Sequence, residues 1–236
     1  TMTEHNRSYI FLQIWVLLAG IAVFASYVAY DLGYFARVVD ADQSKLSILI
    51  AGLFLGATFH AIWHILRVTR QIDAAYAWLS GKQKASADHH NEEMSPFQTP
   101  EQFVSGYVSQ VVEARKLSTS DNQDGGLVFE IYADRLRAAV EIGWYLVDIL
   151  IRLGLIGTIV GFILILGALS SGPAPTPENI QTLLISMSGG MGTALYTTLA
   201  GLVTAMVLGA QYMVLARGTE ELIGKLVRIR DRASAP

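Results

Sequence analysis

The strongest constraint on this chain is where its charges are missing. Residues 8–30 contain no Asp, Glu, Lys or Arg, and residues 46–66 contain none either. The same holds for residues 153–177 and 179–216. A helix needs about 20 apolar residues to cross the hydrocarbon core of a bilayer, and each of these runs is long enough. Charged residues make up only 16% of the chain, against about 25% in soluble domains. The expected fold class is therefore an all-α membrane protein with four transmembrane helices. The first run is longer than the apolar region of a signal peptide and a second follows closely, so it is expected to be retained.

Basic residues orient such a protein, because Lys and Arg accumulate on the cytoplasmic side. They gather between the second and third runs at Arg67, Arg70, Lys82, Lys84, Arg115, Lys116, Arg135 and Arg137. They gather again in the tail, at Arg217, Lys225, Arg228, Arg230 and Arg232. Residues 31–45 hold only Arg37 and Lys45, and "SGPAPTPE" at 171–178 holds none. Both termini and region 67–143 are expected in the cytoplasm. A net charge of −3 provides no polybasic footprint, which argues against nucleic acid as a partner. The absence of cysteine excludes disulfides, thiolate metal sites and cysteine nucleophiles.

Four segments follow: a pair of spans at 1–66, a cytoplasmic helical region at 67–143, a second pair at 144–216 and a cytoplasmic tail at 217–236. The second helix should start near Ser44 and continue past the membrane, since Ile72, Tyr76 and Leu79 keep a helical apolar period. "KQKASADHHNEEMSPFQTP" reads as a polar loop. Thr99, Pro100 and Gln102 then form a helix start, with a capping hydroxyl, a first-turn proline and a glutamine three residues after the cap. That helix carries Phe103, Tyr107, Val108, Val111 and Val112 as an apolar stripe and ends near the turn-rich "STSDNQDGG". From Gly126 a helical pattern runs on into the third span. At the fourth span Thr176 can cap, Pro177 fits the first turn and Glu178 suits the helix dipole. Helices two to four should extend into the cytoplasm as a bundle.

Small residues mark one face on each of the last two spans. Gly154, Gly157, Thr158 and Gly161 recur at helical spacing, as do Gly190, Ala194, Thr197, Thr198, Gly201, Ala205 and Gly209. Glycine inside a helix costs about 1 kcal/mol relative to alanine, but small residues let backbones approach closely within lipid. Packing of these two helices on each other is one reading. It leaves the hydroxyls of Thr158, Thr197, Thr198 and Tyr196 unexplained, because unsatisfied polar groups in hydrocarbon are expensive. In the second reading the hydroxyl-bearing face lines an ion path or cradles a further helix.

Other polar groups have simpler readings. Asp148 and Arg152, four residues apart near the inner end of the third span, suit an interfacial salt bridge, with contact to a neighbouring subunit or ion entry as the alternative. His60 and His64 share a helix face but have no third ligand nearby, so no metal site is expected. His89 and His90 belong to the polar loop. "GGMGTA" lacks a preceding strand and is not a nucleotide loop. With no nucleophile elbow, phosphate loop or metalloprotease motif, the chain is expected to be no enzyme and to need no cofactor.

"GLIGTIVGFILILGAL" and "GGMGTALYTTLAGLVTAM" together resemble the paired signature of the MotA/TolQ/ExbB proton-channel family. Gly154, Leu155, Gly157, Thr158 and Gly161 match its first run, and Ala194, Leu195, Thr198, Gly201 and Leu202 its second. The resemblance covers roughly residues 140–215. It implies a bacterial inner-membrane subunit that forms a homopentamer around a MotB/ExbD-like single-span partner carrying a membrane aspartate. Such a stator couples proton or sodium motive force to rotation or mechanical work. Four spans are similar to MotA, whereas TolQ and ExbB have three. The acidic residue that TolQ and ExbB carry before the second motif is Thr193 here, and the proline that follows it is missing from "VTAMVLGAQ". Neither of the last two uncharged runs can carry a proton by protonation, so the carboxylate is expected from another chain. The alternative is a membrane scaffold whose small-residue faces serve assembly only.

Overall fold

The computed structural model describes residues 2–81, 99–117, 123–171 and 180–233, and every element in them is an α-helix. They are α1 (Met2–Asp31), α2 (Tyr34–Ala41), α3 (Leu46–Leu79), α4 (Pro100–Leu117), α5 (Gln123–Ser171) and α6 (Ile180–Ala233). Among the described residues four stretches are long and apolar enough to cross a membrane: Gln13–Asp31, Leu46–Leu79, Gly126–Ser170 and Ile180–Ala233. At 1.5 Å per residue α5 and α6 each exceed about 70 Å, more than twice the hydrocarbon thickness of about 30 Å.

Helix starts follow local chemistry. At α4 the Thr99 backbone N–H donates to Gln102 Oε1 at 2.8 Å, and the Gln102 N–H donates to Thr99 Oγ1 at 3.3 Å. This is the reciprocal capping box expected from sequence. At α3 the cap is Asp42, which accepts from Ser44 N at 3.0 Å, Ser44 Oγ at 2.6 Å and Ser47 N at 2.7 Å. The bond from Ser47 N satisfies one of the donors that the α3 N-terminus leaves unpaired, and those from Ser44 fix the turn before it.

One element differs from expectation. Residues 31–45 contain the short helix α2, entered through Gly33 in the left-handed region at φ 69°. Eight residues are too few for their apolar period to stand out beside the long runs on either side. The last helix outlasts its uncharged run, which ends at 216, and continues to Ala233. No proline or glycine pair interrupts it there, and residues beyond 216 keep an apolar stripe through Leu222, Leu226 and Ile229, all fully buried. Lys82, Lys84, His89 and His90 of the polar loop, most of the linker after α4, and the Thr176–Pro177–Glu178 helix start lie outside the described residues.

The helices contribute to two compact units. One comprises Leu17–His60 and Gly143–Gln211, and the other Thr1–Val16, Ala61–Ile142 and Tyr212–Pro236. In the second unit, Tyr132 meets Phe103 and Tyr107 with ring centroids 5.3 and 5.1 Å apart. The Tyr107 hydroxyl donates to the Leu226 carbonyl at 3.2 Å. Burial pushes the Tyr107 phenol up to about 12, with Arg230 lowering it and Asp231 and Tyr132 raising it. On the rim Arg137 pairs with Glu220 at 3.3 Å, and Arg230 lies 5.4 Å over the Phe129 ring.

Candidate functional site: the glycine and threonine helices

In the first unit α5 and α6 touch through the small residues singled out from sequence. A Cβ added at Gly161 would lie 2.6 Å from Ala194 Cβ and 2.6 Å from the Gly190 carbonyl oxygen. One at Gly190 would come within 2.8 Å of Gly161 O, and one at Gly201 within 2.8 Å of Leu150 O and 2.9 Å of Gly154 Cα. A Cβ at Gly157 would collide with the side chain of Thr197. Gly154 is looser, with Thr198 Cα 3.3 Å from its added Cβ. The two backbones approach this closely because no side chain separates them, and dispersion across that contact replaces the hydrophobic drive absent in lipid.

The hydroxyls divide into two groups. Thr198 Oγ1 donates across the contact to Gly154 O at 2.9 Å. Thr197 is fully buried against Gly157 and donates to Thr193 O in its own helix at 2.7 Å. Thr197 therefore does not look toward a path or a partner, as the second sequence reading expected. Gly157 takes its place in the contact, one side chain filling the gap left by the other helix. Thr158 lies off the contact, half-exposed, with its hydroxyl donating to Leu155 O at 2.6 Å. Tyr196 and Ala194 are also half-exposed.

Thr193 has a role that sequence reasoning missed. It is fully buried, donates to Ala41 O at 2.8 Å and accepts from the Gln43 N–H at 3.2 Å. Gly189 and Gly192 leave room beside it, since added Cβ atoms would meet Gln43 Nε2 at 2.7 Å and Ala41 Cβ at 3.4 Å. The turn between α2 and α3 is thereby docked onto α6. The run "DQSKLS" carries the local signal of that turn, an acidic cap with serines after it, but nothing local names Thr193 as its partner.

Asp148 and Arg152 form an ion pair at 2.6 Å on α5, with side chains 46% and 68% exposed. They bracket Leu150, whose carbonyl faces Gly201, and lie on the side of α5 away from α6. His60 and His64 occupy successive turns of α3, and no cluster of three His, Asp or Glu able to hold a metal occurs among the described residues.

Among the described residues these elements define an all-helical protein with four helices able to cross a membrane, two of them locked together by glycine contacts. Residues 127–227 match the model of the MotA/TolQ/ExbB proton channel family, and the match supports membership of that family. It takes in nearly all of α5 and most of α6, including every glycine and threonine of the contact. No curated protein and no solved structure shows significant similarity to the chain.

Proposed function

We propose that the chain is the channel-forming stator subunit of an ion-driven motor in a bacterial inner membrane. Five copies surround a MotB/ExbD-like single-span partner whose membrane aspartate accepts the ion, and both termini face the cytoplasm. The work comes from proton or sodium motive force, at about 2.3 kcal/mol per elementary charge across 100 mV. The chain itself performs no covalent chemistry. The observation that carries this reading is the α5–α6 pair of the family-matched segment. Its backbones are held in contact by Gly157, Gly161, Gly190 and Gly201, while Thr158 stays half-exposed beside the contact. A wall of fixed shape with a hydroxyl at its edge suits a helix that moves against it.

The test is purification from membranes with whatever chain co-assembles, followed by ion flux in proteoliposomes. A ring with a single-span partner, conducting until the partner's membrane aspartate is replaced, is the expected result. A monomer without such a partner would sink it. The scaffold reading draws support from Thr197 and Thr198, whose hydroxyls are bound within the chain. It predicts the same ring with no flux.

A further inference from the structure

In the second unit one face of α5 has nothing packed on it. Leu127 and Ile131 are 59% and 48% exposed, and Glu130, Asp134 and Glu141 stand exposed beside them. Spacings of three and four put all five on one side of the helix. Lipid does not cover this stripe, because charged side chains inside a bilayer face protein or water rather than acyl chains. Nor does the chain itself engage it: among the described residues none of the three acids has an ion pair.

The complement is on α6. Its exposed face in the same unit includes Arg217, Gly224 and Arg228, and neither arginine has an ion pair among the described residues. A Cβ added at Gly224 would meet nothing within 4 Å, so a neighbouring helix can close on that point. The two helices run antiparallel in a register given by Arg137 paired with Glu220 and by Arg230 over the Phe129 ring. Counted from those contacts, Glu141 stands level with Arg217, Asp134 with Gly224 and Glu130 with Arg228, each within about one residue or 1.5 Å. Copies of a membrane protein share one orientation, so rotation about an axis along the helices keeps these levels. An acid of one copy therefore meets an arginine of the next at the same height.

We propose that the α5 stripe of one copy docks head to tail on the α6 face of a second copy. Leu127 and Ile131 fill the middle, and Glu130 with Arg228 and Glu141 with Arg217 pair at the edge. An apolar centre with a charged rim is how protein interfaces are usually built, and opposed charges set their register. Head-to-tail contacts close into rings. The inference rests on the ring in the channel reading above and names the surface that builds it.

The chain has no cysteine, so paired replacements report cleanly. Asp134→Cys and Gly224→Cys are placed on two differently tagged full chains, co-expressed, and the assembly is oxidised in its membranes. A disulfide joining the two tags is expected, because such a bond needs Cα atoms within about 7 Å. Met213→Cys, about 16 Å back along α6, is the control and should give little product with Asp134→Cys. Adding Glu130→Arg to the first chain should cut the yield several-fold, and adding Arg228→Glu to the second should restore it. Bonding of Asp134→Cys to its own copy means a two-fold contact and overturns the proposal. An intact oligomer without the bond overturns it as well, leaving the stripe to another protein. A yield indifferent to both charge reversals overturns the ion pairs. A conducting assembly without the bond sinks this inference alone, and a bonded ring without flux sinks the channel reading instead.

Discussion

The side chain of Thr197 occupies the space that a Cβ on Gly157 would need. Because the obstacle includes the Thr197 Cβ itself, no rotamer change clears it. Gly157→Ala should destabilise the protein by about 1–3 kcal/mol through overpacking, despite the better helix propensity of alanine. Gly157→Leu should prevent ring assembly. In a double-mutant cycle with Thr197→Gly, the combined change should cost less than the sum of the two single changes. Thermal denaturation in detergent, followed by size-exclusion chromatography, measures both. Simple additivity would deny the contact.

The two exposed-edge and contact threonines should separate experimentally. Thr198→Val removes the hydroxyl that reaches Gly154 O and should cost about 0.6 kcal/mol, at most about 1.7, as for other interhelical bonds in membranes. Thr158→Val removes only a bond within its own helix, so stability and assembly should hold. Ion-driven function should fall in Thr158→Val, because the half-exposed hydroxyl stands beside the helix contact where the ion path is proposed. Unchanged flux in Thr158→Val, measured beside unchanged assembly, would confine Thr158 to solvating its own helix.

The difference between these threonines marks how far sequence alone can be read. The glycine and threonine positions were legible because small residues at spacings of three and four have few other uses in an apolar helix. Which hydroxyl faces which helix was not, because the rotation of α6 about its axis is set by close contacts such as Gly161 against Ala194. The start of α4 was legible, since a capping box is closed within three residues. The docking of Ala41 and Gln43 on Thr193 joins residues 150 and more positions apart, and no local pattern reports it.

The turn itself can be probed by acid. Burial opposes the charge of Asp42, but hydrogen bonds from Ser44 and Ser47 outweigh it and hold the carboxyl below its ordinary value. A carboxylate lowered on folding contributes stability above its unfolded pKa of about 3.9, and that contribution fades as pH falls through the lowered folded value. The first turn of α3 should therefore be indifferent to pH between 5 and 8 and loosen only in stronger acid. Asp42→Ala should cost about 1 kcal/mol at neutral pH, the usual effect of losing a helix cap. Hydrogen exchange at the Ser47 amide tests this, and faster exchange already at pH 6 would contradict it.

In the second unit Lys225 is buried at 6% exposure, pairs with Glu221 at 2.7 Å and places its ammonium 3.8 Å from the Tyr76 ring centre. Removing one member of such a pair costs more than removing the charge that needed it, because the partner is left desolvated and uncompensated. Glu221→Gln should therefore destabilise by about 1.5–3 kcal/mol, the range for a hydrogen bond to a charged group. Lys225→Met should cost less, since methionine keeps most of the apolar stem against Tyr76 and leaves Glu221, which is partly exposed, to find water. Tyr76→Leu should lie between them, losing the ring's attraction for the cation but not the carboxylate. Chemical denaturation of the three variants ranks these costs. A Lys225→Met variant weaker than Glu221→Gln would mean that the lysine charge stabilises this unit through groups other than Glu221.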